Sequence, residues 1–280
     1  MPSYVVTGAS RGLGEKFGLL KTLALDPSNT VIGLARNVKL TKERLERDGV
    51  TNVHVLAADV TDEAALRDAA SETREILQGK GLDVLINNAG YISEISHLKG
   101  LDEFESEVET VVDDTHKSFE INVIGVLRTV YAFLPLIQAG KEKKVVAISS
   151  GHGDIDFVNK LGISQGAPYA ISKASLSILF AKLQASYRDQ GILFFSICPG
   201  GVDTAEGPPS LSAEDRARLE RMVAVFQKYD GPVMANRSPT EAAKGVLALV
   251  QRSSLEKGYG GSFLSHNGTQ RWLEPGTDAS

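Results

Sequence analysis

Tyr4-Val5-Val6-Thr7-Gly8-Ala9-Ser10-Arg11-Gly12-Leu13-Gly14 is a short apolar run that breaks into a glycine-rich turn. An apolar run bounded by glycine reads as a buried strand, and the apolar positions at helical spacing over 13–25 read as the helix that follows it. Glycines in such a turn let the backbone bend tightly and approach a pyrophosphate, while the helix amino terminus favours phosphate charge. A glycine-rich turn alone is often an ordinary loop, so its weight depends on what surrounds it.

The alternation continues through Thr30-Val31-Ile32-Gly33-Leu34, Val53-His54-Val55-Leu56, Val84-Leu85-Ile86, Val145-Val146-Ala147-Ile148 and Leu193-Phe194-Phe195-Ser196-Ile197. Runs apolar on both faces belong to strands covered by helices on each side, as in a parallel sheet with right-handed crossovers. Helical spacing predicts helices over 63–78, 104–139 in two pieces, 169–189 and 239–251. Thr61 and Asp62 suit the cap of the first, and Ser238-Pro239 with Glu241 the start of the last. The prediction is one α/β domain over 1–280. Two stretches stand outside the alternation: 151–167, read as an inserted loop, and 205–236, read as a lid carrying a charged amphipathic helix. Both follow the carboxyl ends of strands, where open α/β sheets hold their ligands.

Composition narrows the partners. The 280 residues are 42% hydrophobic and 23% charged, with a formal net charge of -5, which argues against a nucleic-acid surface. Lys141-Glu142-Lys143-Lys144 reads as a solvated helix end. The single cysteine, Cys198, excludes an internal disulfide and reads as a small apolar packing residue. No apolar stretch of about 18 residues is expected to span a membrane, and the first strand begins too early for a signal segment. A cytoplasmic protein with no nucleic-acid or membrane partner is the expectation. His54, His97, His116 and His266 have no spacing that builds a metal site, so no metal is expected. No Gly-x-Ser-x-Gly hydrolase elbow surrounds Ser149 and Ser150.

A carboxylate at the end of the second strand would hold a free 2′-hydroxyl of an adenosine ribose. This chain has Ala35-Arg36 there. Arg36 and Arg11 suit a 2′-phosphate, pointing to NADP(H), against the alternative that both are solvated surface arginines. Asp59-Val60 and Asn87-Asn88-Ala89-Gly90, after the third and fourth strands, are further candidates at the adenine end. Asn87 is the expected cofactor contact, and Asn88 is weighed as a tie between neighbouring loops.

Together these motifs resemble those of the short-chain dehydrogenases/reductases. The resemblance runs from Thr-Gly-x-x-x-Gly-x-Gly at Thr7 through Asn87-Asn88-Ala89-Gly90, Tyr169-x-x-x-Lys173 and Pro199-Gly200-Gly201-Val202-Asp203-Thr204 to the closing Gly261-Ser262-Phe263 strand. It implies a Rossmann-type doubly wound parallel sheet of about seven strands in three α/β/α layers. The chain is most similar to the compact carbonyl-reducing members.

The resemblance implies Tyr169 as proton donor or acceptor, with Lys173 lowering its pKa and holding the nicotinamide ribose. Their spacing agrees, since residues four apart project from one helix face, and a nearby ammonium favours a phenolate. Ser150 is implied at the substrate carbonyl oxygen, and Asn122 as the holder of a water that links the lysine to solvent. Gly8, Ser10, Arg11, Gly12, Leu13, Gly14, Arg36, Asp59, Val60, Asn87, Ala89, Gly90, Tyr169, Lys173, Pro199, Gly200, Val202 and Thr204 form the expected cofactor contacts. The gap from Ser150 to Tyr169 exceeds the family pattern, so His152, Asp154 and Asp156 of the insertion are candidates to enter the site. Met222, Phe226, Tyr229 and Met234 read as lid packing. The leading expectation is NADPH-dependent hydride transfer to or from a small, moderately apolar carbonyl or alcohol. The alternatives are a dinucleotide-binding scaffold without turnover and a biosynthetic dehydratase or isomerase. A homodimer or homotetramer is implied by resemblance, with a monomer left open.

Overall fold

The computed structural model describes residues 1–10, 18–202, 211–230 and 237–270. Seven strands form one sheet in the order β3-β2-β1-β4-β5-β6-β7. They are β1 (Ser3–Thr7), β2 (Thr30–Ala35), β3 (Val53–Ala57), β4 (Val84–Asn87), β5 (Lys144–Ile148), β6 (Leu193–Ile197) and β7 (Phe263–Leu264). Every neighbouring pair is parallel. The chain winds from β1 outward to β3, then returns to the other side of β1 at β4. The strand order therefore reverses between β1 and β4, which opens a crevice at their carboxyl ends.

Period-two alternation sends side chains to two cores. Tyr4, Val6, Val31, Val146 and Phe195 pack with Leu19, Leu20 and Leu23 of α1 (Gly18–Ala24) and with Ala243, Val246 and Val250 of α9 (Pro239–Arg252). Val5, Ile32, Leu85, Val145 and Phe194 pack on the opposite face. There they meet Leu66 of α3 (Glu63–Ile76), Val130 and Phe133 of α5 (Gly125–Ala139), and Leu176 and Phe180 of α7 (Ala167–Tyr187). Full burial of a side chain such as Phe133 or Phe194 contributes about 2–3 kcal/mol relative to exposure. This is the three-layer α/β/α arrangement.

Several elements differ from the sequence reading. Helix α2 (Val38–Arg47) was not expected, because only Thr41 and Leu45 of its ten residues are buried; Asn37 caps it by accepting from Leu40 N. The stretch 151–167 is not a loop throughout: a 3₁₀ turn (Gly151–Gly153) leads into α6 (Ile155–Leu161), capped by Asp154. The helix α4 (Val108–Phe119) continues through a π-turn (Glu120–Ile124) into α5. Within this run, Val108–Ala139 contains a window of mean hydropathy 1.5, half of it buried, so a segment long and apolar enough to cross a membrane does exist. Its buried side chains in α5 pack on the sheet. Asp114 of α4 is buried and accepts from Ser96 Oγ and Tyr91 Oη. Lys144 lies in β5 rather than at a solvated helix end, and its Nζ donates to the Val250 and Gln251 carbonyls at the carboxyl end of α9, where the helix dipole favours a cation.

Asp83 ties the amino-terminal edge of the sheet together. Its Oδ2 accepts from Ser3 N at 2.9 Å and from Ser3 Oγ, and its Oδ1 accepts from Lys141 N at 3.0 Å. Asp83→Ala would strand buried donors of β1, so urea unfolding should show a loss of about 3 kcal/mol, with Asp83→Asn losing less.

Candidate active site

Segments leaving the carboxyl ends of β1 to β6 enclose a cleft of about 800 Å³, within the ~300–1,000 Å³ usual for small-molecule sites. In strand order it is lined by Leu34, Arg36, Ala58, Asp59 and Val60 beside β2 and β3, then by Gly8, Ser10, Asn88, Ala89 and Gly90 beside β1 and β4. Ser150, Tyr169, Lys173, Pro199, Gly200 and Val202 follow beside β5 and β6. Arg11, Gly12, Leu13, Gly14 and Thr204 lie outside the described residues, as do Tyr229's side chain and Met234.

The reacting end is built on α7. Gly166, at φ 68, turns the chain into the helix, and Pro168 lies in its first turn. Lys173 Nζ sits 5.5 Å from the Tyr169 ring centroid and donates to Ile148 O at 2.8 Å. An ammonium has three donors, so this bond leaves others for the cleft. Ser150 lies close enough to Tyr169 to pull its phenol pKa downward, and its side chain caps the 3₁₀ turn by accepting from His152 N at 3.3 Å. Ser149 is buried and donates to the Lys173 carbonyl, so Ser150 is the serine that meets the tyrosine.

Burial dominates the electrostatics. It pushes the Tyr169 phenol well above its ordinary value, against a smaller downward pull from Ser150. It pulls Lys173 down to about 8. It also raises the thiol of Cys198, whose Sγ accepts from Gly200 N. Each shift disfavours the charged form in a poorly solvated place.

The other candidates fall into distinct positions. Gly8 has φ +66, and a Cβ there would lie 2.6 Å from Ala89 Cα; only glycine lets the two loops meet so closely. Asn88 Nδ2 donates to the Thr7 and Gly8 carbonyls, so Asn88 ties these loops and also lines the cleft. Asn87, expected as a cofactor contact, is buried and is not among the residues lining the cleft; its Nδ2 donates to Val146 O, and its Oδ1 has no partner among the described residues. Asn122, in the π-turn, also lies behind the wall. Its Nδ2 donates to Tyr91 O and Ser172 Oγ, and its Oδ1 accepts from Tyr91 N at 2.7 Å. These bonds join the Gly90-Tyr91 wall to α7. Arg36 Nη1 lies 4.0 Å from Asp59 Oδ2, with both side chains exposed, a contact of little energetic weight. Asp59 Oδ1 accepts from Thr61 N and Oγ1.

The insertion reaches the site through one of its three candidates. His152 lines the cleft, Asp154 caps α6, and Asp156 is exposed. The sequence reading missed Tyr91, Ile92, His97, Lys117 and Ile121 on the wall. Nothing local marks His97, but Tyr91 directly follows the Asn87–Gly90 motif and could have been found from it. Cys198 also lines the cleft, beyond the packing role expected of it.

A sequence profile described as short chain dehydrogenase matches residues 3–214. The chain belongs to the short-chain dehydrogenase/reductase family of oxidoreductases. It is 40% identical over 275 residues to the short chain dehydrogenase virK of Hypocrea virens, covering 98% of this chain and 100% of the relative. It is 41% identical over 274 residues to the short-chain dehydrogenase/reductase AacuF of Aspergillus aculeatus, with 98% and 100% covered. Among solved structures it is similar to an NADPH-bound carbonyl reductase from chicken fatty liver, at TM-score 0.73 and 26% identity, covering 96% of this chain and 98% of that one. The Drosophila melanogaster carbonyl reductase Sniffer, at TM-score 0.72 and 21% identity over 96% and 98%, shares the fold.

The low Lys173 pKa has a consequence for stability. The folded chain gives up this proton near pH 8, whereas the unfolded chain holds it to 10.5, so stability rises with pH through that window. Lys173→Met should therefore gain most over the parent at about pH 7 and lose roughly 2 kcal/mol of that margin by about pH 10 in cofactor-free urea unfolding. A margin independent of pH would show that the ammonium is not penalised by burial.

Proposed function

We propose that this chain is an NADPH-dependent reductase of ketones or aldehydes, able to run in reverse on the corresponding alcohols. The observation that carries the reading is the Ser150-Tyr169-Lys173 group at one end of a cleft whose other end holds Arg36. A dinucleotide suits the remainder. The close Gly8–Ala89 approach clears the middle of the cleft, and Lys173 keeps donors available for ribose hydroxyls. Among the described residues, Arg36 has only a long, exposed contact with Asp59, so its guanidinium can turn to a 2′-phosphate. The NADPH named with the chicken-liver carbonyl reductase supports the same choice.

A reduced nicotinamide supplies a hydride to a carbonyl carbon, and its oxidised form takes one from an alcohol carbon. The protein's task is to manage the oxygen. Ser150 and Tyr169 line the same end of the cleft, where both hydroxyls can donate to a carbonyl oxygen and share its developing negative charge. Tyr169 then gives its phenolic proton to that oxygen, so hydride plus proton convert the carbonyl to an alcohol. Burial makes a lone phenolate costly here. An ammonium at Lys173, 5.5 Å from the Tyr169 ring centroid, would offset that cost, and its bond to Ile148 O fixes it in place. The apolar side chains of Ile92, Ile121 and Met222 line the same wall.

This group also weighs against a scaffold that binds the dinucleotide without turnover, because such a protein needs no buried proton donor. Tyr169→Phe removes the proton and keeps the shape. NADPH oxidation against a panel of diketones, quinones, aldehydes and polycyclic ketones should fall by roughly 10²–10⁴-fold in kcat/KM, while NADPH affinity persists. Wild-type protein that binds NADPH yet reduces no carbonyl would favour the scaffold. Arg36→Ala should shrink the preference for NADPH over NADH in equilibrium binding by about tenfold, and an unchanged preference would remove Arg36 from this role.

A further inference from the structure

Two imidazoles on the cleft wall, His152 and His97, each keep a buried Nδ1 with no hydrogen-bond partner among the described residues. A buried polar atom left unpaired costs about 1–3 kcal/mol, and folded proteins keep few of them. His152 is not placed there by accident of a loose loop. Its ring meets Tyr169 edge-on at 6.0 Å and lies 5.5 Å from Phe226 of α8 (Ala213–Asp230). Phe226 in turn stacks on Phe157 of α6 at 6.0 Å. Beneath it, Gly153 packs so tightly on α7 that a Cβ would lie 2.7 Å from the Lys173 carbonyl carbon. The insertion and the lid thus clamp one imidazole beside the proton donor.

Burial pulls the His152 pKa down to about 4, so the ring is neutral at neutral pH. A neutral imidazole offers one nitrogen as donor and the other as acceptor, and therefore suits a hydroxyl or an enol better than a charged group. The surrounding wall is apolar and aromatic, with Ile92, Met222 and Tyr91. Resting on the carbonyl-reductase reading above, we propose that His152, aided by His97, recognises a second oxygen of the substrate, and that the substrate class is an aryl ketone bearing a hydroxyl or enol a few bonds from the reacting carbonyl. Because Nδ1 is closed off, the second oxygen meets the other ring nitrogen, Nε2; simple apolar ketones would offer it no partner and be poorer substrates, since a site built to hydrogen-bond a hydroxyl rejects the analogue that lacks it.

The test compares acetophenone with its ortho- and meta-hydroxy derivatives, both as NADPH-dependent substrates and as ligands of the NADP⁺-loaded protein by calorimetry. In wild type, the better hydroxyketone should exceed acetophenone by roughly 10- to 100-fold in kcat/KM and in affinity. His152→Phe should cut both ratios to below about twofold, and His152→Gln, which retains a hydrogen-bonding amide, should keep an intermediate ratio. A wild-type ratio near one, or a ratio that survives in His152→Phe, overturns the proposal. If no ketone is reduced, the reductase reading fails by itself, and the calorimetric ratio still decides whether His152 reads the hydroxyl. Should His152→Phe fail to fold, an unreduced ratio in His152→Gln and His152→Ala overturns the proposal.

Discussion

A parallel sheet whose strands are buried on both faces can expose polar chemistry only at their ends. Val5 and Val6 face opposite cores one residue apart, and the same division runs through Val145 and Val146 and through Phe194 and Phe195. Neither face has room for a charged site. The functional groups therefore collect where β1, β4, β5 and β6 stop, and the reversal of strand order between β1 and β4 opens the space they share. Asp83 and Lys144 close the other end of the same strands, with hydrogen bonds that serve only to hold the sheet together.

The cleft inherits a constraint from this arrangement. Residues that project from strand ends over two apolar cores are poorly solvated, and burial moves Tyr169 and Lys173 in opposite directions, each toward its neutral form. Under the proposed function, the ammonium of one would compensate a phenolate on the other. Asn122 supports the pair from behind. By tying Tyr91 to Ser172, next in sequence to Lys173, it fixes the wall against which the lysine works. The π-turn at Glu120–Ile124 carries Asn122, consistent with the frequency of such turns at functional sites.

The framework was legible because its signals are local. Short β-rich runs, glycine turns and an i,i+4 Tyr-Lys pair leave marks that one segment shows on its own. What escaped notice was decided by tertiary partners. Helix α2 buries little, so its spacing is faint, and α6 occupies a stretch whose glycines and aspartates read as loop until Asp154 is seen capping it. Asn87 and Asn88 are adjacent and chemically identical. Pleating turns the first into the sheet beneath the cleft, and the second reaches across to the Thr7 and Gly8 carbonyls. Lys144 looked like one of a solvated cluster, and only the docking of α9 turned it inward.

The same distinction separates reaction from selectivity. Tyr169 and Lys173 sit on α7, which packs on one core through Leu176 and Phe180, and Ser150 follows β5 at the start of the 3₁₀ turn. His152 owes its position to three parts that are far apart in sequence: the turn after Ser150, Phe157 of α6 and Phe226 of α8. No single segment could reveal that convergence. Changes in α6 or α8 therefore reach Tyr169 through His152, which meets the Phe226 and Tyr169 rings alike, whereas Lys173 is anchored by Ile148 O of the sheet itself.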